Sequence, residues 1–149
     1  DLSKALCVFV VKDVRALRNT ALKVGSARYE SDLVYLCGYN LSPGVFFQKD
    51  GESVRLCQLF RLYKGNMDDL VQWPFNHTIK LSVMHPIEHS TDRVIEQKIN
   101  NPSQRSLQKP TASRNIGACM NVQTVKVEDL IKDGYEENNQ LRLMFEILP

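Results

Sequence analysis

The stretch Leu70-Val71-Gln72-Trp73-Pro74-Phe75 decides the reading of this chain. It carries the single tryptophan, locked to a proline and a second aromatic, between two segments whose side chains alternate. Upstream, Val54, Leu56, Phe60 and Leu62 fall on one face of a strand, and Arg55, Cys57, Leu59, Arg61 and Tyr63 on the other. Downstream, Ile79, Leu81 and Val83 point one way and Thr78, Lys80 and Ser82 the other. Period-two alternation marks sheets with one face on a core and the other wet or bound to something. Lys64-Gly65-Asn66-Met67-Asp68-Asp69 supplies the turn between them, and Pro74 stops any helical turn begun by the two aspartates. Trp73 and Phe75 are expected to plug one end of a sandwich as structural residues.

Two further segments strengthen this pattern. Gly38-Tyr39-Asn40-Leu41 is followed by Val45-Phe46-Phe47 and Asp50-Gly51, and Ser106-Leu107-Gln108-Lys109-Pro110-Thr111 by Asn115-Ile116. With the Trp-Pro-Phe run in the same order, the chain from about Phe9 to Leu148 resembles the TRAF-C (MATH) domain of the TNF-receptor-associated factors, as a divergent member. The Trp-Pro-Phe and Gln-Lys-Pro-Thr segments are the specific part of the likeness. At the usual first-strand tryptophan this chain has an aliphatic, Val10 or Val11.

The 149 residues suit a single domain, 1–149, with a core of its own. Because the sequence starts at Asp1 without Met, it is expected to be a C-terminal fragment of a longer chain. No apolar run reaches the ~20 residues that span a bilayer, and no signal-peptide layout is present. A net charge of +2, with basic and acidic residues interspersed, argues against nucleic acid as a partner. Cys7, Cys37, Cys57 and Cys119 are too dispersed for a disulfide framework or a zinc site. They read as four buried or half-buried thiols in a reducing compartment.

Strands are expected at about Leu6 to Val11, Ala27 to Ser31, Leu36 to Phe47, the two Trp-flanking segments, Arg93 to Ile99, Cys119 to Val125, and a last strand alternating Leu141, Leu143, Phe145 and Ile147. Pro43 cannot donate to a ladder, so a bulge or an edge is expected there. Asp13 stands where it could cap a short helix through Leu22 that Gly25 ends, and a second helix covers Val127 to Lys132. The fold class is all-β: an antiparallel β-sandwich of about eight strands with one or two short helices.

No cofactor-binding or catalytic motif occurs. Pro86 excludes a helix across His85 and His89, so their spacing does not make a zinc-binding face. Nothing around the cysteines suggests an activated thiolate. No catalytic residue, metal site or cofactor is assigned. Binding is better supported, because alternation turns Phe46, Leu59 and Tyr63 away from the core, beside Arg55 and Arg61. The resemblance implies that an extended peptide lies along an edge strand, its alternate side chains in shallow pockets. Carried over, the pocket aromatic falls on Phe46, the acidic hairpin residue on Asp50, and the apolar floor on Leu59. A serine cluster falls on Gln104, Arg105 and Ser106, and a small polar position on Ala118, with Arg55 as a further polar contact. The strand arginine of many members is Gly44 here, a tyrosine is Phe46, and the aromatic pair of another branch is missing around Cys119 to Asn121.

The resemblance implies a non-enzymatic, cytoplasmic adaptor that docks receptor tails or signalling adaptors of a TNF-receptor or Toll-like type pathway. It implies a homotrimer in the full-length chain, and a monomer or weak trimer for these residues alone. Any ubiquitin-ligase activity would lie in an N-terminal RING. The competing expectation is a MATH-type substrate-recognition module of a ubiquitin ligase. A coiled coil upstream would favour the adaptor, and a dimerisation domain downstream the ligase module; the ending at Pro149 leans to the adaptor.

Overall fold

A computed structural model describes residues 2–149. Nine strands and two helices follow one another: β1 (Leu6–Lys12), α1 (Val14–Val24), β2 (Ser26–Glu30), β3 (Val34–Leu36), β4 (Tyr39–Asp50), β5 (Ser53–Tyr63), β6 (Ile79–Met84), β7 (Arg93–Gln97), β8 (Ala118–Lys126), α2 (Val127–Lys132) and β9 (Gln140–Ile147). All pairings are antiparallel, in two sheets. One sheet runs β1-β9-β6-β7; the other runs β2-β4-β5-β8, with β3 also on β4. The all-β sandwich expected from alternation is the observed fold.

The core lies where period two puts it. Val54, Leu56, Phe60 and Leu62 of β5, Ile79, Leu81 and Val83 of β6, and Leu141, Leu143, Phe145 and Ile147 of β9 are buried against one another. Gln58 shares that inner face of β5, and its Nε2 crosses to donate to the carbonyls of Ile79 at 3.3 Å and Ile95 at 2.9 Å. It is a polar tie between the two sheets, since an amide buried without partners would be destabilising.

The expected strand from Leu36 to Phe47 is two strands. Cys37 and Gly38, at φ 51° and 85°, make a tight turn between β3 and β4. A two-residue hairpin with positive φ at both centres matches strand twist. Cys37 is therefore a turn residue and not strand-bound. Pro43 pairs with Phe60 of β5 at a point where neither β2 nor β3 lies opposite its other side. Its carbonyl accepts from Ser31 N at 2.8 Å, so its missing N–H falls in a local gap in the ladder.

Asp13 does not cap α1 with its side chain; it sits at φ 57° and makes no such bond. Asn139 does the work from the far end of the chain. Its Oδ1 accepts from Arg15 N at 2.9 Å and its carbonyl from Val14 N at 3.1 Å. A short polar side chain satisfying orphan N–H groups is what a cap requires, whatever its sequence position.

The two signature segments meet at one end of the sandwich. Phe75 is fully buried and stacks edge-on with Tyr39 at 4.9 Å. Trp73 is half-buried, 5.1 Å from the Tyr39 ring, with its indole N–H on the Asp68 carbonyl at 2.7 Å. Asp68 does not cap a helix; its Oδ2 accepts from Gly65 N at 3.0 Å and closes the turn. Phe75 N donates to Leu107 O at 2.8 Å, and Lys109 pairs with Asp69. The 100–115 segment is thereby held down, and Asn115 Nδ2 pins it further through the Ser106 and Gln108 carbonyls at 3.1 and 2.8 Å.

Candidate functional site: the outer face of the five-stranded sheet

Register defines the rows of side chains that β2, β4, β5 and β8 present outward. One row is Arg28, Phe46 and Cys57; the next is Glu30, Gly44, Leu59 and Cys119; beyond it lie Ser42 and Arg61. Phe46 is half-buried, with the Arg28 guanidinium 5.7 Å from its ring centroid, a cation–π distance. Arg61 is bidentate on Glu30, at 2.7 and 3.1 Å, and also donates to the Asn115 carbonyl at 3.0 Å. That hydrogen bond holds the Glu30 carboxyl below the usual range against the opposing effect of burial, helped by the fields of Arg61, Arg28 and Arg114.

Leu59 faces outward as alternation requires, yet it is 0% exposed and stands outside the inter-sheet core. The expectation of an open apolar floor is corrected by what lies over it. Gly117 approaches so closely that a Cβ there would come within 3.1 Å of Leu59 Cδ1, with the Arg61 and Arg28 guanidiniums at 3.5 and 3.6 Å. The aliphatic side chain is roofed by backbone and by arginines, whose stems can cover apolar surface while their heads stay wet.

Gly44 is more than a missing arginine. A Cβ at this position would lie 2.3 Å from the Tyr29 carbonyl oxygen, so no side chain fits while β2 keeps this approach. Ala118 is turned the other way from the carried-over expectation. It pairs with Phe60, is buried and belongs to the core; its neighbours Gly117 and Cys119 carry the outward positions. Ser106 is buried in a 3-10 turn, while Arg105 beside it is exposed. Asp50 and Arg55 lie at the β4–β5 hairpin end and pair with each other at 3.0 Å, so the Arg55 charge is already engaged. The structure thus brings Phe46 and Leu59 together, sets Asp50 and Arg55 at one margin, and removes Ala118.

Arg28, Glu30 and Arg61 form the electrostatic centre. The alternation Arg28/Glu30 against Ala27/Tyr29 in β2 is the signal that would have placed the first two there. Burial pushes the Cys57 thiol up to about 11, so at neutral pH it is a protonated packing residue and no nucleophile. Cys119 is exposed, in contrast to the expected burial of all four thiols; all four are free.

Strand β8 is an edge of this sheet, and a narrow groove of about 130 Å³ runs beside it, walled by Gln97 to Asn101 and Gln104. The edge is partly occupied. Gln97 donates Nε2 to the Met120 carbonyl at 3.1 Å and accepts from Gln123 N at 2.9 Å through Oε1. One side-chain amide therefore stands in for a neighbouring strand. Among the described residues, no helix is long and apolar enough to cross a membrane, and no group of three His, Cys, Asp or Glu is arranged to hold a metal.

The sequence model of the family described as TRAF/meprin, MATH domain matches residues 28–144. TNF receptor-associated factor 5 of Mus musculus is 24% identical over 115 residues, 74% of this chain and 20% of that protein. Its Homo sapiens counterpart is 26% identical over 110 residues, 72% of this chain and 19% of that protein. The chain thus spans about one fifth of the length of these relatives. Notothenia coriiceps TRAF5 superposes with a TM-score of 0.75 at 19% identity, covering 99% of this chain and 74% of that one.

Proposed function

The chain belongs to the TRAF/meprin MATH domain family, and from that premise we propose that it is a non-enzymatic docking domain for extended peptide segments of receptor tails or signalling adaptors. An adaptor-type protein-interaction domain is what the family supports; the peptide and its site are our reading. The observation that carries it is the outer face of the five-stranded sheet. There a half-exposed Phe46 sits under Arg28, beside the packed Leu59, on a sheet that ends in the edge strand β8. An incoming strand could add to such an edge while alternate side chains reach Phe46 and Arg105. Asp50, Arg55 and Ser106 would act as margin and support, because each is already hydrogen-bonded or buried.

With Gly44 sterically closed to a side chain and Arg61 saturated by Glu30, the arginines left to meet an acidic peptide residue are Arg28, Arg105 and Arg114. The peptide preference is an apolar anchor with an acid near one of these three. The reading extends to a cytoplasmic, trimeric parent chain, where weak single sites would gain ~10²–10⁴-fold through avidity to clustered tails.

The test is a peptide-array screen of receptor-tail segments on the purified domain, followed by amide chemical-shift mapping of a bound peptide. Shifts should concentrate on β8, Phe46 and Arg28, and Phe46→Ala should lose binding with the melting temperature nearly unchanged. Peptides that bind Phe46→Ala normally, or shift another surface, would place the docking site elsewhere.

A further inference from the structure

From Gln97 to Val127 the sequence holds no aspartate or glutamate. The whole chain has 17 acids in 149 residues, so these 31 residues would ordinarily hold three or four. The same stretch carries five cations, Lys98, Arg105, Lys109, Arg114 and Lys126. It is folded surface, since it forms the loop and the edge strand β8 that border the five-stranded sheet.

Within it a pocket of about 410 Å³ opens between the 3-10 turn at Arg105–Leu107 and the run 111–116. Arg105, Lys109, Thr111, Arg114 and Ile116 stand around it, with no carboxylate in its wall. Lys64 N on Ser113 O and Asn115 N on Leu62 O, both at 2.9 Å, fix one wall against the end of β5. Asn115 Nδ2, on the Ser106 and Gln108 carbonyls, ties that wall to the other. The acids whose fields reach these cations are already engaged. Asp69 pairs with Lys109, Asp68 has one oxygen on Gly65 N, and Glu30 is held bidentate by Arg61. Among the described residues neither Arg105 nor Arg114 takes part in a salt bridge. One Arg114 nitrogen donates to the Tyr63 hydroxyl at 3.3 Å. Two guanidiniums without a carboxylate partner therefore line one pocket, each a rigid fork of donors.

We propose that this pocket receives the phosphate of a phosphoserine or phosphothreonine in the docked peptide, so that phosphorylation of the partner strengthens its binding. The inference rests on the docking reading above. A phosphomonoester brings close to two negative charges and three acceptor oxygens, enough for both arginines, where a single carboxylate would leave one unanswered. Gln104 and Leu107 line the groove beside β8 while Arg105 and Gln108 line the pocket, so one short turn divides the two. A segment laid along β8 crosses that turn to enter the pocket. Ile116, 65% exposed, offers an apolar contact to a neighbour of the phosphorylated residue. The adjoining edge strand favours a peptide over a lipid headgroup as the source of the phosphate.

The test compares receptor-tail peptides made in serine and phosphoserine forms, with acetyl-phosphoserine amide as a minimal probe in amide shift mapping. A subset of peptides should bind about tenfold or more tightly once phosphorylated, and added salt should shrink that gain. The minimal probe should shift Arg105, Thr111, Arg114 and Ile116. Arg105→Gln and Arg114→Gln should each remove most of the phosphoserine-to-serine ratio with the melting temperature nearly unchanged. Arg114→Lys should restore part of it, since lysine keeps the charge without the fork. Probe shifts in the pocket with no peptide bound in either form would sink the docking reading and leave the phosphate site standing. Peptides that shift Phe46 and β8 yet bind equally in both forms, or binding confined to phosphatidylserine vesicles, would overturn the phosphate site itself.

Discussion

The two outward faces of this sandwich invert one another. On the five-stranded sheet the apolar centre, Leu59, is fully covered, and the charges above it are saturated by Glu30, Arg61 and the Asn115 carbonyl. On the four-stranded sheet the outward row Val8–Met144–Ser82–Val94 leaves its two end residues open, and Lys80 stands opposite Glu146 and Glu96 beside it. An alternating strand reports which way a side chain points; whether that side is wet depends on what other segments lay over it. The 105–118 segment lies over the first face, where the Asn115 carbonyl meets Arg61 and Gly117 meets Leu59.

The largest expected effect falls on both faces together. Phe75 is buried among Tyr39, Phe60 and His77, so Phe75→Ala should cost about 3–5 kcal/mol by lost burial and a residual cavity. Denaturant unfolding measures it, and Trp73→Ala, at a half-buried site, should lose less. A Phe75→Ala protein that melts normally would detach this aromatic cluster from the stability of either face.

The next prediction separates the faces. Leu59→Glu puts a carboxylate under the Gly117 roof and should lower stability by about 2–5 kcal/mol. Val8→Glu, of the same chemistry on an open surface, should stay within about 0.5 kcal/mol. Equal losses in urea titrations would erase the distinction between the two surfaces.

Gln97 offers a smaller handle. Gln97→Ala removes two hydrogen bonds at the β8 edge and should cost about 1–2 kcal/mol. Amide exchange at Gln123 should quicken, since its N–H loses its partner. If this edge is where peptides add, the same variant should bind them more tightly, its edge groups having been released.

The smallest effect belongs to the Arg61–Glu30 pair. Glu30 titrates lower in the folded chain than unfolded, so its contribution is present above the ordinary glutamate pKa of about 4.3 and disappears as pH falls through the depressed folded value. At neutral pH Glu30→Gln should cost about 1 kcal/mol, modest because the pair is partly exposed. The gap in melting temperature between wild type and variant should close as the solution is acidified below that range. A gap that persists into strong acid would mean the pair contributes by packing and not by charge.

Much of the fold was legible because local rules carried it. Alternation in β5, β6 and β9 named the inner faces correctly, and Gly25 ended its helix with a positive φ as expected. What was missed depends on distant residues. Asn139 caps α1 across most of the chain, and no property of Asp13 announces that it will not. Gln58 and Gln97 look like interruptions in apolar patterns, yet each ties the two sheets together. Ala118 faces the core, one residue out of phase with the expectation, because Gly117-Ala118-Cys119 is a run of small residues with no alternation to set the phase. Register places Phe46 and Leu59 in neighbouring outward rows, but the Gly117 roof over Leu59 belongs to tertiary structure.

The order of strands has a consequence for synthesis. Among the described residues β1 pairs with β9 alone, and α1 receives its side-chain cap from Asn139. A chain emerging from the N-terminus must carry Leu6 to Lys12, with its five apolar residues and a cysteine, unpaired until nearly every other residue has followed. Contacts of such long sequence separation form late and slowly, and an unpaired apolar strand is open to wrong partners meanwhile. The last strand is the one that completes the fold, so losing β9 would leave β1 without a ladder partner and β6 paired with β7 alone.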